Sequence, residues 1–344
     1  TYADKTVTVT DAAGNASSLT LTTFIIDTTA PTISAVTQVV TPSNDTTPSY
    51  VFTTNEAGTI TTNITEGFST SASAATGNNT VTFNTLGEGT YASKTVTVTD
   101  ASGNASSLTL TTFVVDTTSP TAAITYDAAA PFKNGDAAVT ITATFNGPVL
   151  DSPVPTIAIA GSGIANVTST NMTKVSTTVY TYSYAVPTGD GTGTVTVGTG
   201  TDAAGNIVTS VPTSGATFTV DNTAPTISAV TQVVTPSNDT TPSYVFTTNE
   251  AGTITTNITE GFSTSASAAT GNNTVTFNTL GEGTYASKTV TVTDASGNAS
   301  SLTLTTFVVD TTAPTMTITA TEVSDGDTSN DSTIALTFTS SQAT

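Results

Sequence analysis

The 344 residues include no Cys, no His, no Trp and no Arg. Without Cys there is no disulfide or thiolate site, and the redox compartment is not legible from cysteine usage. Without His or Cys, a zinc or copper centre lacks its usual ligands. The same absence removes the common activated nucleophiles and their bases. Cations are almost as scarce: Lys5, Lys94, Lys133, Lys174 and Lys288 face 25 acids, for a net charge of −20. Nucleic-acid phosphates and anionic membrane surfaces repel such a chain. No apolar run approaches the roughly 20 residues of a membrane-spanning helix.

What is present is Thr, Ser, Val, Ala and Gly, in alternating polar and apolar runs. β-Branched residues suit a pleated, half-buried surface. The strongest signal is repetition. Residues Thr29–Thr118 recur unchanged as Thr223–Thr312, and Thr1–Asp27 matches Thr90–Asp116 except at Asp4, Ala13, Ile25 and Ile26. A different unit lies between the two copies, and another begins after Asp310. The expected organisation is therefore the last strands of a repeat at 1–27, a type A repeat at 28–116, a type B repeat at 117–221, an identical type A repeat at 222–310, and the first strands of a further repeat at 311–344. The sequence thus reads as a window on a longer array.

Each whole unit has the length of an immunoglobulin-like domain. In the first type A repeat seven strands are expected, at 32–40, 49–54, 59–64, 69–72, 80–85, 93–99 and 107–115. Thr95-Val96-Thr97-Val98-Thr99 alternates with period two, so one of its faces points to a core. Pro42, Pro48, Gly58, Gly67, Gly77, Gly87, Gly89 and Gly103 fall between the runs as breakers. No segment sustains a 3.6-residue period. The predicted fold class is all-β, with tandem seven-stranded sandwiches arranged as a linear rod. Tyr91, after Leu86-Gly87-Glu88-Gly89-Thr90, is expected to close a corner by bonding its hydroxyl to nearby backbone; the type B repeat has no such Tyr and must close its corner otherwise.

Asp-Thr-Thr-Ala-Pro at 27–31, the related joints at 116–120, 221–225 and 310–314, and the Asp-x-x-Gly-Asn hairpins at 11–15, 100–104, 202–206 and 294–298 recur at domain spacing. In these residues the sequence resembles the bacterial immunoglobulin-like repeats of giant cell-surface adhesins; similar modules occur in archaeal S-layer and filament proteins. The resemblance implies a secreted, extracellular stalk whose joints are often stiffened by Ca²⁺.

Topology alone also gathers acids at one end of each sandwich, where the chain enters and the B–C and F–G loops lie. The first type A repeat offers Asp27, Glu56, Asp100 and Asn104. The type B repeat offers Asp116, Asp151, Asp202 and Asn206, and the second type A repeat Asp221, Glu250, Asp294 and Asn298. Asp310 opens the following joint. Ca²⁺ takes six to eight oxygen ligands of these kinds, and converging carboxylates repel one another unless a cation sits among them. Asp45 and Glu88 are expected at the opposite end, near Asp116. Turn chemistry is the other reading, since Asp and Gly-Asn are favoured in hairpins for their own backbone bonds.

Twelve Asn-x-Ser/Thr sequons, Asn63 and its twin Asn257 among them, are candidate glycosylation sites. Tyr180, Tyr182 and Tyr184 are spaced for one strand face and are expected in the core rather than in a sugar site. No catalytic constellation is legible, and the expected role is a structural spacer. The alternative is a subunit of a self-assembling S-layer or filament. Expected partners are neighbouring repeats, other copies of the chain, and surface glycans at an adhesive tip.

Overall fold

The computed structural model describes residues 1–342, in which thirty strands and no helix occur. The chain divides into two compact units. One comprises Thr1–Ala128, Ala137–Ala185 and Thr192–Phe218; the other comprises Ala129–Asp136, Val186–Gly191 and Thr219–Thr344.

In the first unit, β1 (Thr6–Thr10) and β2 (Ala16–Thr20) form a two-stranded sheet. The strands that follow are β3 (Ile33–Thr37), β4 (Ser49–Thr54), β5 (Gly58–Thr62), β6 (Ser73–Ala74), β7 (Gly77–Thr82), β8 (Gly89–Tyr91), β9 (Thr95–Thr99), β10 (Ala105–Thr109) and β11 (Phe113–Val115). They build sheets of order β3-β4-β7, β10-β9-β5-β6 and β11-β8. Alternation decides which side chains meet. Tyr50 and Phe52 of β4, Ile60 of β5, Val81 of β7, and Val96 and Val98 of β9 all turn into one core with Leu86, Phe113 and Val115.

The strand expected over 107–115 is two strands. β10 pairs with β9, whereas β11 pairs with β8 in another sheet. Leu110 is the last inward residue of one phase, Thr111 and Thr112 are both exposed, and Phe113 and Val115 point inward in the opposite phase. Two outward residues in succession break the period of two, and the chain changes sheet there. The strand expected at 69–72 lies at Ser73–Ala74 instead. Asn79 organises the turn after it, accepting from the Ala75 N–H at 2.9 Å and donating to the Ala75 and Gly77 carbonyls at 2.7 and 2.9 Å. The Tyr91 hydroxyl donates to the Gly87 carbonyl at 2.9 Å while its ring stacks on Phe113, as expected for the corner.

The type B strands are β12 (Ala122–Tyr126), β13 (Val139–Phe145), β14 (Thr156–Ser162), β15 (Val167–Asn171), β16 (Thr173–Lys174), β17 (Val179–Tyr184), β18 (Gly191–Gly198) and β19 (Thr217–Val220). They order as β12-β13-β17-β16 and β15-β14-β18-β19. Tyr180 and Tyr184 are fully buried core residues, each ring meeting a phenylalanine edge. The corner that lacks a Tyr is closed by Asn222. Its side chain donates to the Gly189 carbonyl at 2.6 Å, and its N–H donates to Asp190.

In the second unit, β20 (Ile227–Thr231), β21 (Ser243–Thr248), β22 (Gly252–Thr256), β23 (Ser267–Ala268), β24 (Gly271–Thr276), β25 (Gly283–Tyr285), β26 (Thr289–Thr293), β27 (Ala299–Thr303) and β28 (Phe307–Val309) reproduce β3 to β11 in order and pairing, around their own core. β29 (Met316–Ala320) and β30 (Leu336–Ser340) pair with each other.

Candidate metal centres at the repeat heads

Both type A repeats place their acids in the same way. A pair of hydrogen bonds ties the joint to the β4–β5 loop: Thr32 N–H donates to Asn55 Oδ1 at 2.6 Å, and Asn55 N–H donates to the Thr32 carbonyl. This holds Glu56 beside the joint. Gly58 then lets β5 run close against β9, because a Cβ there would lie 2.5 Å from the Thr99 carbonyl oxygen and 2.8 Å from Val98 Cγ1. That approach sets Glu56 next to Asp100, the residue after Thr99.

Asp100 is held by its own hairpin. One carboxylate oxygen accepts from the Ser102 and Asn104 N–H groups, both at 2.8 Å, and the other accepts from Asn104 Nδ2 at 2.8 Å. The Asn104 side-chain bond and the backbone donors pull the Asp100 carboxyl below the usual carboxylate range. Asn104 Nδ2 also donates to the Asp27 carbonyl at 3.2 Å, which fixes the joint to the hairpin. The turn chemistry read from sequence is therefore present, and it coexists with convergence of the acids.

Carboxylate oxygens of Asp27, Glu56 and Asp100 lie within 4.8 Å of one another, and those of Asp221, Glu250 and Asp294 do the same. Calcium–oxygen distances of about 2.3–2.6 Å put ligands on opposite sides of one ion about 4.6–5.2 Å apart. Each trio therefore fits the first shell of a single Ca²⁺. At the second trio, burial and then the charges of Asp221, Asp294 and Asp190 push the Glu250 carboxyl up. Asp190 thus brings the charge of a fourth acid to this cluster. Asn298 repeats the role of Asn104, donating to Asp294 at 2.9 Å and to the Asp221 carbonyl at 3.1 Å, and Ser296 Oγ donates to Asp221.

The type B head differs. Asn206 bonds Asp202 and the Asp116 carbonyl as its counterparts do. Asp151, however, accepts from Lys174 at 2.6 Å and from the Tyr180 hydroxyl at 2.9 Å, and the lysine bond is the main reason its carboxyl is lowered. Burial and this neighbouring carboxylate push the Tyr180 phenol up to about 12. The loop pinned to the joint here is Asn146-Gly147, through Thr121, so Gly147 stands where the type A repeats carry Glu56 and Glu250. Among the described residues no third carboxylate joins Asp116 and Asp202. Asp310 accepts from the Thr312 N–H and is grouped with no other acids among them.

A second device lies at the opposite end of the repeat, where Glu88 is expected from sequence although its hydroxyl partners are not. Glu88 accepts from the hydroxyls of Thr117 and Thr118 at 3.0 and 2.7 Å, and Glu282 accepts from Thr311 and Thr312. Asp190 accepts from the Thr223 hydroxyl and the Asn222 N–H. Each whole repeat thus clasps its outgoing joint with one acid. The next hairpin is gripped as well: Asn44 N–H donates to the Ala204 carbonyl at 3.0 Å, and Lys133 Nζ donates to the Gly297 carbonyl at 2.8 Å. The sequon residues Asn63 and Asn257 each donate from Nδ2 to a backbone carbonyl and accept a backbone N–H at Oδ1.

Residues 271–340 match the family model of a bacterial Ig-like domain (group 3). The chain is a tandem series of immunoglobulin-like β-sandwiches. The match runs from β24 to β30, so its frame crosses the joint at Asp310. A crystal structure of titin domains is similar at 13% identity and a TM-score of 0.34, over 81% of this chain and 99% of that one. A mutant of Salmonella alpha-2-macroglobulin is similar at 10% identity and a TM-score of 0.22, over 92% of this chain and 26% of that one. The native conformation of E. coli alpha-2-macroglobulin is similar at 9% identity and a TM-score of 0.21, again over 26% of its length. No curated protein matches the sequence. Among the described residues no helix is long and apolar enough to cross a membrane.

Two expectations follow from the geometry of these Ig-like heads. Gly58→Ala should lower the melting temperature of the first type A repeat and weaken any cation response at Asp27, Glu56 and Asp100, because the added methyl meets backbone that cannot swing aside. Calorimetry with and without Ca²⁺ checks both. Acidification acts through the clasps. The Thr118, Thr223 and Thr312 hydroxyls are the chief cause of lowered carboxyls at Glu88, Asp190 and Glu282. The stability these acids contribute is present above their ordinary values of 4.5 and 3.8 and is lost as pH falls through the lower folded values. Glu250 is raised, so its contribution has the opposite sign: it is present below 4.5 and lost as pH rises through the folded value. In carboxyl NMR titrations without divalent cations, Glu250 should therefore titrate above 4.5 while Glu88 and Glu282 titrate below it.

Proposed function

We propose that this region is an extracellular structural spacer of a large cell-surface protein of the adhesin type, with Ca²⁺ bound at the heads of its type A repeats. The observation that carries the reading is the pair of carboxylate trios. Asp27, Glu56 and Asp100, and again Asp221, Glu250 and Asp294, come from a joint, a loop and a hairpin and converge within 4.8 Å. Hard oxygen donors without His or Cys suit Ca²⁺ rather than a transition metal. An ion held between a joint and two loops of the repeat resists bending, because bending lengthens metal–oxygen bonds. The type B head, with Gly147 in place of the glutamate and Asp151 committed to Lys174, is outside this set.

Calorimetric titration of the metal-free chain with Ca²⁺ tests the proposal. Two sites are expected, with the variant Glu56→Gln/Glu250→Gln losing both. Saturation at a thousand times the dissociation constant adds about 4 kcal/mol to the stability of the repeats that hold the ions. Chelator should correspondingly lower their melting temperatures. An unchanged melting profile on adding Ca²⁺, or a titration that the double variant leaves intact, refutes it.

A further inference from the structure

Each whole repeat joins the segment by which the chain enters to the strand by which it leaves, and the join is parallel. In the first type A repeat Ser43 pairs in parallel with Val115. Ser43 N–H donates to the Val114 carbonyl at 3.1 Å, and Asp116 N–H donates to the Ser43 carbonyl at 3.0 Å. Two side chains extend the contact. Thr41 Oγ1 accepts from the Val114 N–H at 2.9 Å, and Gln38 Oε1 accepts from the Thr111 N–H at 3.4 Å. Ser237, Val309, Thr235 and Gln232 do the same in the second type A repeat.

The type B repeat has a different sequence and makes this join in two places. Ala123 pairs in parallel with Ser214, and Phe132 with Val220. Thr213 N–H donates to the Ala122 carbonyl at 2.8 Å, and Ile124 N–H to the Ser214 carbonyl at 3.0 Å. Phe132 N–H donates to the Thr219 carbonyl, and Asp221 N–H to the Phe132 carbonyl, both at 2.9 Å. In all three repeats a proline stands directly before a bridging residue: Pro42, Pro131 and Pro236. Its fixed φ stiffens the segment at that point.

The direction of pairing decides how tension acts. The entering segment is tied to the preceding joint by its N-terminal end, and the leaving strand to the following joint by its C-terminal end. In a parallel pair these are opposite ends, so tension on the joints slides one segment along the other and loads the bonds together. A hairpin pulled open from its free end gives up its bonds singly. We infer that these joins are shear latches by which the chain bears tension, and that the type B latch is the strongest of the three. Its bonds are main-chain, beside Ala122, Ile124 and Phe132, which are at most 4% exposed. The type A latch leans on two side-chain acceptors, and Thr41 is exposed, so water replaces its bond as it breaks. Load bearing goes beyond spacing, and these bonds involve no carboxylate, so the latches act without a divalent cation.

Single-molecule pulling of the full chain by its two ends, in the presence of chelator, tests the inference. Extended chain spans about 3.4 Å per residue, so a type A repeat at 28–116 releases up to about 300 Å and the type B repeat at 117–221 up to about 360 Å. Two shorter events are expected first, and the longer one last, at higher force. Thr41→Val keeps the side-chain shape and removes one acceptor. At a fixed force it should speed unfolding of one type A repeat about fivefold, the worth of one net hydrogen bond, and leave its twin unchanged. Thr41→Ser should restore the rate. Ile60→Val thins the core of the same repeat away from the latch. It should lower the melting temperature at least as much as Thr41→Val, with a smaller acceleration under load. The longer event coming first refutes the inference, as does acceleration under load that follows the loss in melting temperature whichever site is changed.

Discussion

Phe52→Ala should split the melting of the chain into separate transitions, with the first type A repeat unfolding first and its twin unchanged. Phe52 is fully buried between the sheets, in a core built from residues 33–115. Removing a buried phenyl ring typically costs about 3–5 kcal/mol, the lost transfer energy plus the cavity left behind. For a domain of this size each kcal/mol moves the midpoint by about 4–8 °C, so a fall of at least about 12 °C is expected. Phe246 occupies the same place in the second copy, within a core built from residues 227–309. Because the two cores share no residue, Phe246→Ala should reproduce the effect in the other transition. In an array of sandwiches, stability is close to a sum over repeats with neighbour terms. Differential scanning calorimetry with limited proteolysis reads the outcome, and a single transition that moves as a whole would contradict separate cores.

How far the sequence reveals this arrangement depends on what each residue depends on. The inward set of β4 and β9 follows from alternation alone, because a strand facing one core repeats every two residues. The change of sheet after Leu110 was also legible in principle. Leu108 and Leu110 fall on even positions, Phe113 and Val115 on odd ones, and the two threonines between them mark the break. The meeting of Asp27, Glu56 and Asp100 was readable because topology puts a joint and two loops at one end. Asp151 was a harder case. It stands four residues beyond Gly147, the true positional match of Glu56, and only the fold shows that Lys174 and Tyr180 hold its carboxylate. The clasps of Glu88, Asp190 and Glu282 on hydroxyls of the joint were hidden for another reason. Threonine is so abundant here that no single Thr stands out, and the pairing spans about thirty residues.

Gly215→Ala should be among the most damaging single changes in the type B repeat, and its mechanism can be isolated. Gly215 has φ +67°, a region where a side chain is strained, and a Cβ there would also meet the Ile124 carbonyl oxygen, with the carbonyl carbon 2.9 Å away. The strand cannot retreat. Ile124 N–H donates to the Ser214 carbonyl at 3.0 Å, Thr213 N–H donates to the Ala122 carbonyl at 2.8 Å, and the Tyr126 hydroxyl donates to the Gly215 carbonyl at 2.6 Å. On its other side β12 is paired along its length with β13, and Ala122 and Ile124 are buried. Gly103 supplies the control. Its φ of +94° is at least as unfavourable for a side chain, but no atom lies within 4 Å of its Cβ position. Gly103→Ala should thus cost only the backbone term, about 1–2 kcal/mol. Gly215→Ala adds the displacement of bonded backbone in the core, which brings the loss to about 3 kcal/mol or more. Urea unfolding of the two variants measures the gap directly. Equal losses would mean that β12 yields to the methyl group, and that the 213–215 segment is held less firmly than its hydrogen bonds imply.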